Sequence, residues 1–169
     1  DPLLVGIAPE GFFHEVVLED LQPGAHYTYT ITSASEQRTG HFMAPPAYDD
    51  SFSFLVFGDS RTGHDAHREV IDGILAYMDT RETPALMINT GDMTMTGGSE
   101  EEWGLFFEIE SPLLSDIPLL PTFGNHDFIL GRTYFEALFK APPTNESGSD
   151  RYYSADIGDV HVAVLDLSS

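Results

Sequence analysis

The chain has 169 residues, 41% of them hydrophobic, enough for one medium domain or a small module with part of a larger one, and too apolar for a disordered polymer. Seven Lys and Arg against 28 Asp and Glu give a formal charge of −21, which repels nucleic-acid backbones and anionic lipid. The absence of cysteine excludes disulfides, thiolate chemistry and cysteine-held zinc. No apolar run is long enough to span a bilayer, so no membrane partner is expected. The opening Asp1-Pro2-Leu3-Leu4 reads as the inside of a longer chain, so the lack of a signal peptide carries no information about export.

Residues 1–47 read as β structure. Phe12 to Leu18 is apolar with strand formers, Ala25 to Thr32 alternates through Tyr27, Tyr29 and Ile31, and Arg38 to Met43 makes a short third strand. Leu21-Gln22-Pro23-Gly24 between the first two is a tight-turn signal. The string Leu21-x-Pro23-Gly24-x-x-Tyr27 resembles the tyrosine corner of fibronectin type III sandwiches, where the tyrosine hydroxyl bonds backward to the chain. Three strands are less than half of such a sandwich, so residues 1–47 are expected to be its C-terminal part. Ala44-Pro45-Pro46-Ala47 reads as a linker.

From residue 48 onward the rhythm becomes α/β. Ser51 to Phe57 is a buried-type strand, followed by an amphipathic helix from His64 to Met78, with Val70, Ile71, Ile74, Leu75 and Met78 at helical spacing. Ala85 to Asn89 is the next strand. Ser99-Glu100-Glu101-Glu102 opens a helix with capping-box spacing and acids at its N-terminus. Pro118 to Phe123 is a third strand, Arg132 to Lys140 a short helix, and Arg151 to Asp156 with Val160 to Leu167 a hairpin around Gly158-Asp159. Repeated strand–helix–strand units predict a parallel or mixed sheet with helices on its faces.

The chemistry-bearing residues follow the first three of these strands, in Gly58-Asp59-Ser60-Arg61, Gly91-Asp92 and Gly124-Asn125-His126-Asp127. Asp59, Asp92 and Asn125 recur once per βαβ unit, and adjacent parallel strands would bring them to one sheet edge, where open α/β sheets gather ligands. Each preceding glycine is expected to let the backbone turn sharply. Two carboxylates and an amide oxygen, with histidine nearby, suit divalent cations that accept oxygen and nitrogen. Carboxylates so close repel one another, and a metal removes that repulsion. A pair of metals about 3.5–4 Å apart can hold a phosphate and stabilise an in-line displacement. Cations there would also let an anionic ligand approach an acidic protein.

The pattern resembles the calcineurin-like metallophosphoesterases, and the β segment in front resembles the arrangement in purple acid phosphatases and their bacterial relatives. The resemblance covers about residues 51–169. It implies a partial sheet-and-helix metallophosphoesterase domain over 48–169, preceded by the partial sandwich over 1–47. It implies two metal ions (Mn, Fe or Zn), with Asp59 on the first, Asp92 bridging and Asn125 on the second. It further implies His126 beside the leaving group and Asp127 orienting His126, a pairing that also makes sense alone because a carboxylate can fix an imidazole tautomer.

The sequence departs from this pattern at three places. The family has His two residues after the first Asp, and here Arg61 stands there. A guanidinium does not deprotonate to bind metal, so Arg61 is read either as a clamp on the substrate phosphate or as a surface arginine pairing with local acids. His64 and His67 lie close enough to be substitute ligands but read instead as the solvated start of the helix. Met95 stands where purple acid phosphatases have tyrosine, which disfavours the purple subgroup proper and favours its plainer members. The family's late histidines are absent from these 169 residues, so the remainder of the chain is expected to complete the site.

The other candidates have structural readings. His161 alternates with Val160, Val162 and Val164 as a packed or hydrogen-bonded strand residue, and His14, His26 and His41 belong to the surface of the β segment. Trp103, Phe106, Phe107, Tyr134, Phe135, Leu138 and Phe139 recur at helical spacing as core. The residues and the resemblance together imply hydrolysis of a small phosphate ester, first a phosphomonoester. A phosphodiesterase or nucleotidase on the same scaffold and a binding module with a degenerate site are the rivals. No nucleic acid is expected, and the location implied by the resemblance is extracytoplasmic.

Overall fold

The structure, a computed structural model, describes residues 14–33, 36–140 and 148–166. In chain order the elements are β1 (His26–Ser33), β2 (Glu36–Met43), β3 (Phe54–Phe57), α1 (His64–Met78), β4 (Leu86–Asn89), α2 (Glu100–Leu114), β5 (Leu119–Pro121), α3 (Thr133–Leu138), β6 (Tyr153–Ile157) and β7 (Val160–Val164). The fold is mixed α/β. Strands β3, β4 and β5 form a parallel sheet in that order, while β1–β2 and β6–β7 are antiparallel pairs.

Alternation along the parallel strands gives the sheet two apolar faces. On one, Leu55, Phe57 and Met87 meet Ile71, Ile74 and Leu75 of α1 and Ile109 and Leu113 of α2. On the other, Leu86, Ile88 and Leu120 meet Ile157 and Val162 of the β6–β7 hairpin. The outcome is helices, sheet and hairpin in three layers, because a sheet this apolar must be covered on both sides. A third cluster, built from Trp103, Phe106, Phe123, Phe135 and Phe139, closes the end below α3. Its rings meet largely edge to face, as at Phe123–Phe135 (4.8 Å, 77°), and burying each such side chain contributes about 1.5–3 kcal/mol.

Helix α1 has the bounds its periodicity predicts. The start of α2 differs in detail from a capping box. Ser99 Oγ accepts from the Glu102 amide at 3.3 Å, but the Glu102 carboxylate reaches past Ser99 to the Thr96 amide at 2.9 Å, because Ser99 N–H is already given to the Thr96 carbonyl. Glu102 thus ties down the loop before the helix. The strand expected at Phe12–Leu18 does not form over His14–Leu18, where Val16, Val17 and Leu18 stand exposed with no neighbouring strand among the described residues; Phe12 and Phe13 lie outside them.

The β1–β2 hairpin is tied at both ends. The Gln22 amide donates to the Tyr27 hydroxyl at 2.9 Å, the backward bond expected of the Leu21–Tyr27 string. Tyr29, whose ring covers Gly40 on the opposite strand, donates its hydroxyl to the Ser115 carbonyl at 2.8 Å, and the His41 amide donates to Asp116 Oδ1 at 3.1 Å. These two bonds hold the hairpin to the C-terminal end of α2.

Burial, with the Asp116 charge second, pushes the Tyr29 phenol above its ordinary value. A raised folded value means the contribution is fully present below about pH 10 and is lost as pH rises through the shifted value. Tyr29→Phe should lower stability at neutral pH by about 0.5–1.5 kcal/mol. It should also remove this step from the alkaline limb of a stability-against-pH curve, which urea unfolding at several pH values would read.

Candidate functional site

Register aligns the three turns. Phe57 pairs with Asn89 and Asn89 with Pro121, so the chain leaves three neighbouring strands at one level before Asp59, Asp92 and Asn125. The turns then pack on each other through backbone. Asp59 N–H donates to the Gly91 carbonyl at 3.0 Å, Thr122 N–H to the Asn89 carbonyl at 2.9 Å, and Gly91 N–H to Asn89 Oδ1 at 2.9 Å. Asn89, 1% exposed, therefore serves the turn that carries Asp92.

The reason for the glycines differs from the expected one. Only Gly91 has a positive φ (95°); Gly58 and Gly124 are needed for close approach. A Cβ on Gly124 would run into the Asp92 backbone and carboxylate, and one on Gly91 would lie 2.8 Å from the Gly124 nitrogen. The sharp turns fall on the aspartates themselves. Asp59 (φ 57°) and Asp92 (φ 55°) both adopt the left-handed region, which Asp tolerates better than most residues and which clusters at functional sites.

Asp127 has a different role from the one the resemblance implies. It is fully buried and does not orient His126. Its Oδ2 accepts from the Asp92 amide (2.9 Å) and the Gly124 amide (3.1 Å), while Oδ1 accepts from the Thr94 amide (3.0 Å) and hydroxyl (3.1 Å). One carboxylate thus joins the second and third turns. His126 is oriented by the backbone: its Nδ1 lies 3.0 Å from the Met95 carbonyl. A carbonyl only accepts, so Nδ1 carries the hydrogen and Nε2 is the nitrogen left to exchange a proton. The His126 amide in turn donates to Asp92 Oδ1 at 2.9 Å.

The structure brings Asp59, Arg61 and Asp92 together. Nη1 of Arg61 donates to Asp59 Oδ1 at 2.6 Å and also to Asp92 Oδ2. The side chain of Asp92 is 13% exposed and that of Asp59 77%, so the pair sits at the mouth of the sheet edge. Asn125 is exposed in the third turn, and its side chain bonds neither aspartate. Ser60, between Asp59 and Arg61, has a buried Oγ that lacks a hydrogen-bond partner among the described residues.

His67 is not on a solvated helix start: it is buried, with Nε2 2.7 Å from Oε1 of the equally buried Glu110. Its spacing to Ile71 and Ile74 was the available signal, since it places His67 on the apolar face of α1. His64 is half-buried at the first turn of α1. His161 bonds Asp156 across the hairpin (2.6 Å), while His14, His26 and His41 are exposed. Tyr153 is buried with its hydroxyl on the Pro121 carbonyl, and Asp166 pairs with Arg151 at 3.0 Å, so both brace the third strand end and the hairpin.

Burial pushes the Asp127 carboxyl above its ordinary value, the bonds from Thr94 and Gly124 oppose the rise, and the Asp92 charge adds to it. An upward shift favours the fold on the acid side, and that contribution is given up as pH rises through the shifted value. Asp127→Asn would turn an amide NH2 toward N–H donors and should cost about 2–3 kcal/mol at neutral pH. Thermal unfolding of the variant between pH 4 and 8 should show the loss together with a flatter pH dependence.

Comparison with known proteins places this geometry. A family model for calcineurin-like phosphoesterases matches residues 52–167. Probable purple acid phosphatase 20 of Arabidopsis thaliana is 28% identical over 92% of this chain and 36% of its own. Probable inactive purple acid phosphatase 27 of the same plant is 25% identical over 96% and 31%. Acid phosphatase type 7 of Mus musculus is 26% identical over 89% and 34%. The structure of purple acid phosphatase PPD1 from yellow lupin (Lupinus luteus) seeds superposes with a TM-score of 0.65 at 19% identity, over 86% of this chain and 31% of that one, and shares the fold. The chain therefore spans about a third of the length of these relatives. Similarity to proteins named purple acid phosphatases extends across the chain although Met95 departs from the motif expected of them. With the family model spanning the parallel sheet, its three turns and the hairpin behind them, the chain belongs to the calcineurin-like phosphoesterase family.

Proposed function

We propose that the protein hydrolyses small phosphate esters, phosphomonoesters first, at a two-metal site whose first ligands are Asp59, Asp92 and Asn125. The single observation that supports this most is the convergence of Asp59 and Asp92 oxygens on one cationic nitrogen at the C-terminal edge of the parallel sheet. The donors fit hard divalent or trivalent ions such as Mn, Fe or Zn: two carboxylates already aim at a positive charge, with an amide oxygen in the next turn. Among the described residues no group of three or more His, Asp or Glu converges, so these residues make part of a ligand set that the rest of the polypeptide would complete.

When bound, the metals supply Lewis-acid charge that draws electron density from the phosphoryl oxygens and acidifies the attacking water. His126 supplies the proton for the leaving alcohol. In the imidazolium form Nε2 donates to the departing oxygen, and the ring returns to the Nδ1–H tautomer that the Met95 carbonyl holds. Arg61 offers a planar fork to the non-bridging phosphate oxygens, a geometry suited to oxyanions. Asp127 acts on the turns rather than on the substrate, keeping the Asp92 and Asn125 segments in register.

A second reading, a non-catalytic module with a degenerate site, is favoured by Arg61 in ion pair with both aspartates and by a relative named as inactive. Against it stand the intact Asp92, Asn125 and His126. No helix among the described residues is long and apolar enough to cross a membrane. The extracytoplasmic location belongs to the proposal and would show as activity in the cell-surface or medium fraction of the host.

The test compares p-nitrophenyl phosphate with bis-p-nitrophenyl phosphate on the intact protein and on Asn125→Ala and His126→Ala. The monoester should react faster, and removal of the His126 imidazole should slow it by about 10²–10⁴. Asn125→Ala should abolish turnover with the fold unchanged. A full rate in Asn125→Ala would remove that residue from the ligand set, and no rate with either ester would favour the degenerate module.

A further inference from the structure

Arg61 does pair with local acids, and the manner of the pairing is specific. Its two ion pairs leave from one nitrogen, Nη1, and end on oxygens of two different turns, Asp59 Oδ1 after β3 and Asp92 Oδ2 after β4. A fork-shaped guanidinium ordinarily meets one carboxylate with two nitrogens. Here a single N–H2 group sits where two carboxylates point, the position a spherical cation would take. The guanidinium side chain is 29% exposed and Asp92 13%, so the contact is partly withdrawn from water and is screened less than a surface pair.

We infer that Arg61 acts as an internal counter-cation: it neutralises and holds Asp59 and Asp92, and a metal ion entering between those carboxylates must displace it. The inference rests on the reading that Asp59 and Asp92 are metal ligands. Two left-handed aspartates with converging charges would otherwise repel each other, and one positive charge against two negative leaves a net −1 that still attracts a divalent ion. Occupancy by the guanidinium and occupancy by the metal exclude each other, because they use the same two oxygens. Once displaced, Arg61 is released at the edge where a phosphate would arrive. Loading the site and freeing the oxyanion-binding arginine thus become one event.

The test measures Mn2+ binding by titration calorimetry, and thermal stability with and without Mn2+, on the intact protein after chelation. Wild type is compared with Arg61→Gln, which removes the charge at similar length, and Arg61→Lys, which keeps it. Arg61→Gln should bind Mn2+ at least tenfold more tightly. Its metal-free form should melt lower than wild type, and added Mn2+ should raise its melting temperature by more than it raises that of wild type, since ligand bound only to the native state stabilises it in proportion to affinity. Arg61→Lys should bind like wild type. Equal or weaker Mn2+ binding in Arg61→Gln, with measurable binding in both proteins, would overturn the displacement while leaving the metal reading intact. No Mn2+ binding in wild type and in Arg61→Gln alike would overturn both.

Discussion

The site depends on one buried carboxylate. Asp127 takes hydrogen bonds from the amides of Asp92, Thr94 and Gly124 and from the Thr94 hydroxyl, so the turn after β4 and the turn after β5 share a single acceptor. A carboxylate is the only side chain with enough lone pairs to accept all four without offering a donor in return. Around this knot the parallel register sets the level of the turns, the glycines allow backbone to lie on backbone, and the buried Asp92 carboxylate and half-buried His126 are joined by an amide-to-carboxylate bond. Under the proposed function a loose geometry would be worth little, and Asp127 braces the turns through backbone amides and the Thr94 hydroxyl rather than through the side chains of Asp59, Asp92 or Asn125.

Much of the scaffold was legible in the chain. Helix α1 could be bounded because Val70 to Met78 repeat at helical spacing, and the parallel sheet could be inferred because apolar strands alternate with helices of ordinary length. The three Gly-led turns were legible because close backbone approach restricts sequence. Bonds between residues far apart in the chain were not legible. Nothing local to Glu102 says that its carboxylate passes Ser99 to reach Thr96, and nothing local to Asp127 says that its partners are 33 and 35 residues upstream. Asp127 next to His126 invites the neighbourly pairing, yet adjacent residues in a tight turn point to different sides.

The β segment shows the same division. The turn and tyrosine that predict a backward bond do form one, from the Gln22 amide to Tyr27, because that contact is local. The strand expected at Phe12–Leu18 needed a partner to pair with, and apolar strand formers alone did not make one over His14–Leu18. The hairpin of β1 and β2 instead finds its support at the end of α2, through Tyr29 and His41.

Under the proposed function a chain of charge −21 needs concentrated positive charge where an anion is to bind, and the sheet edge, where Asp59 and Asp92 oxygens converge on Arg61, is the place for it. The most direct measurement is the metal content of the intact, natively purified protein, by elemental analysis referred to folded chain. About two Mn, Fe or Zn ions per chain are expected. A folded, full-length protein with none, even after equilibration with these ions, would contradict the two-metal site.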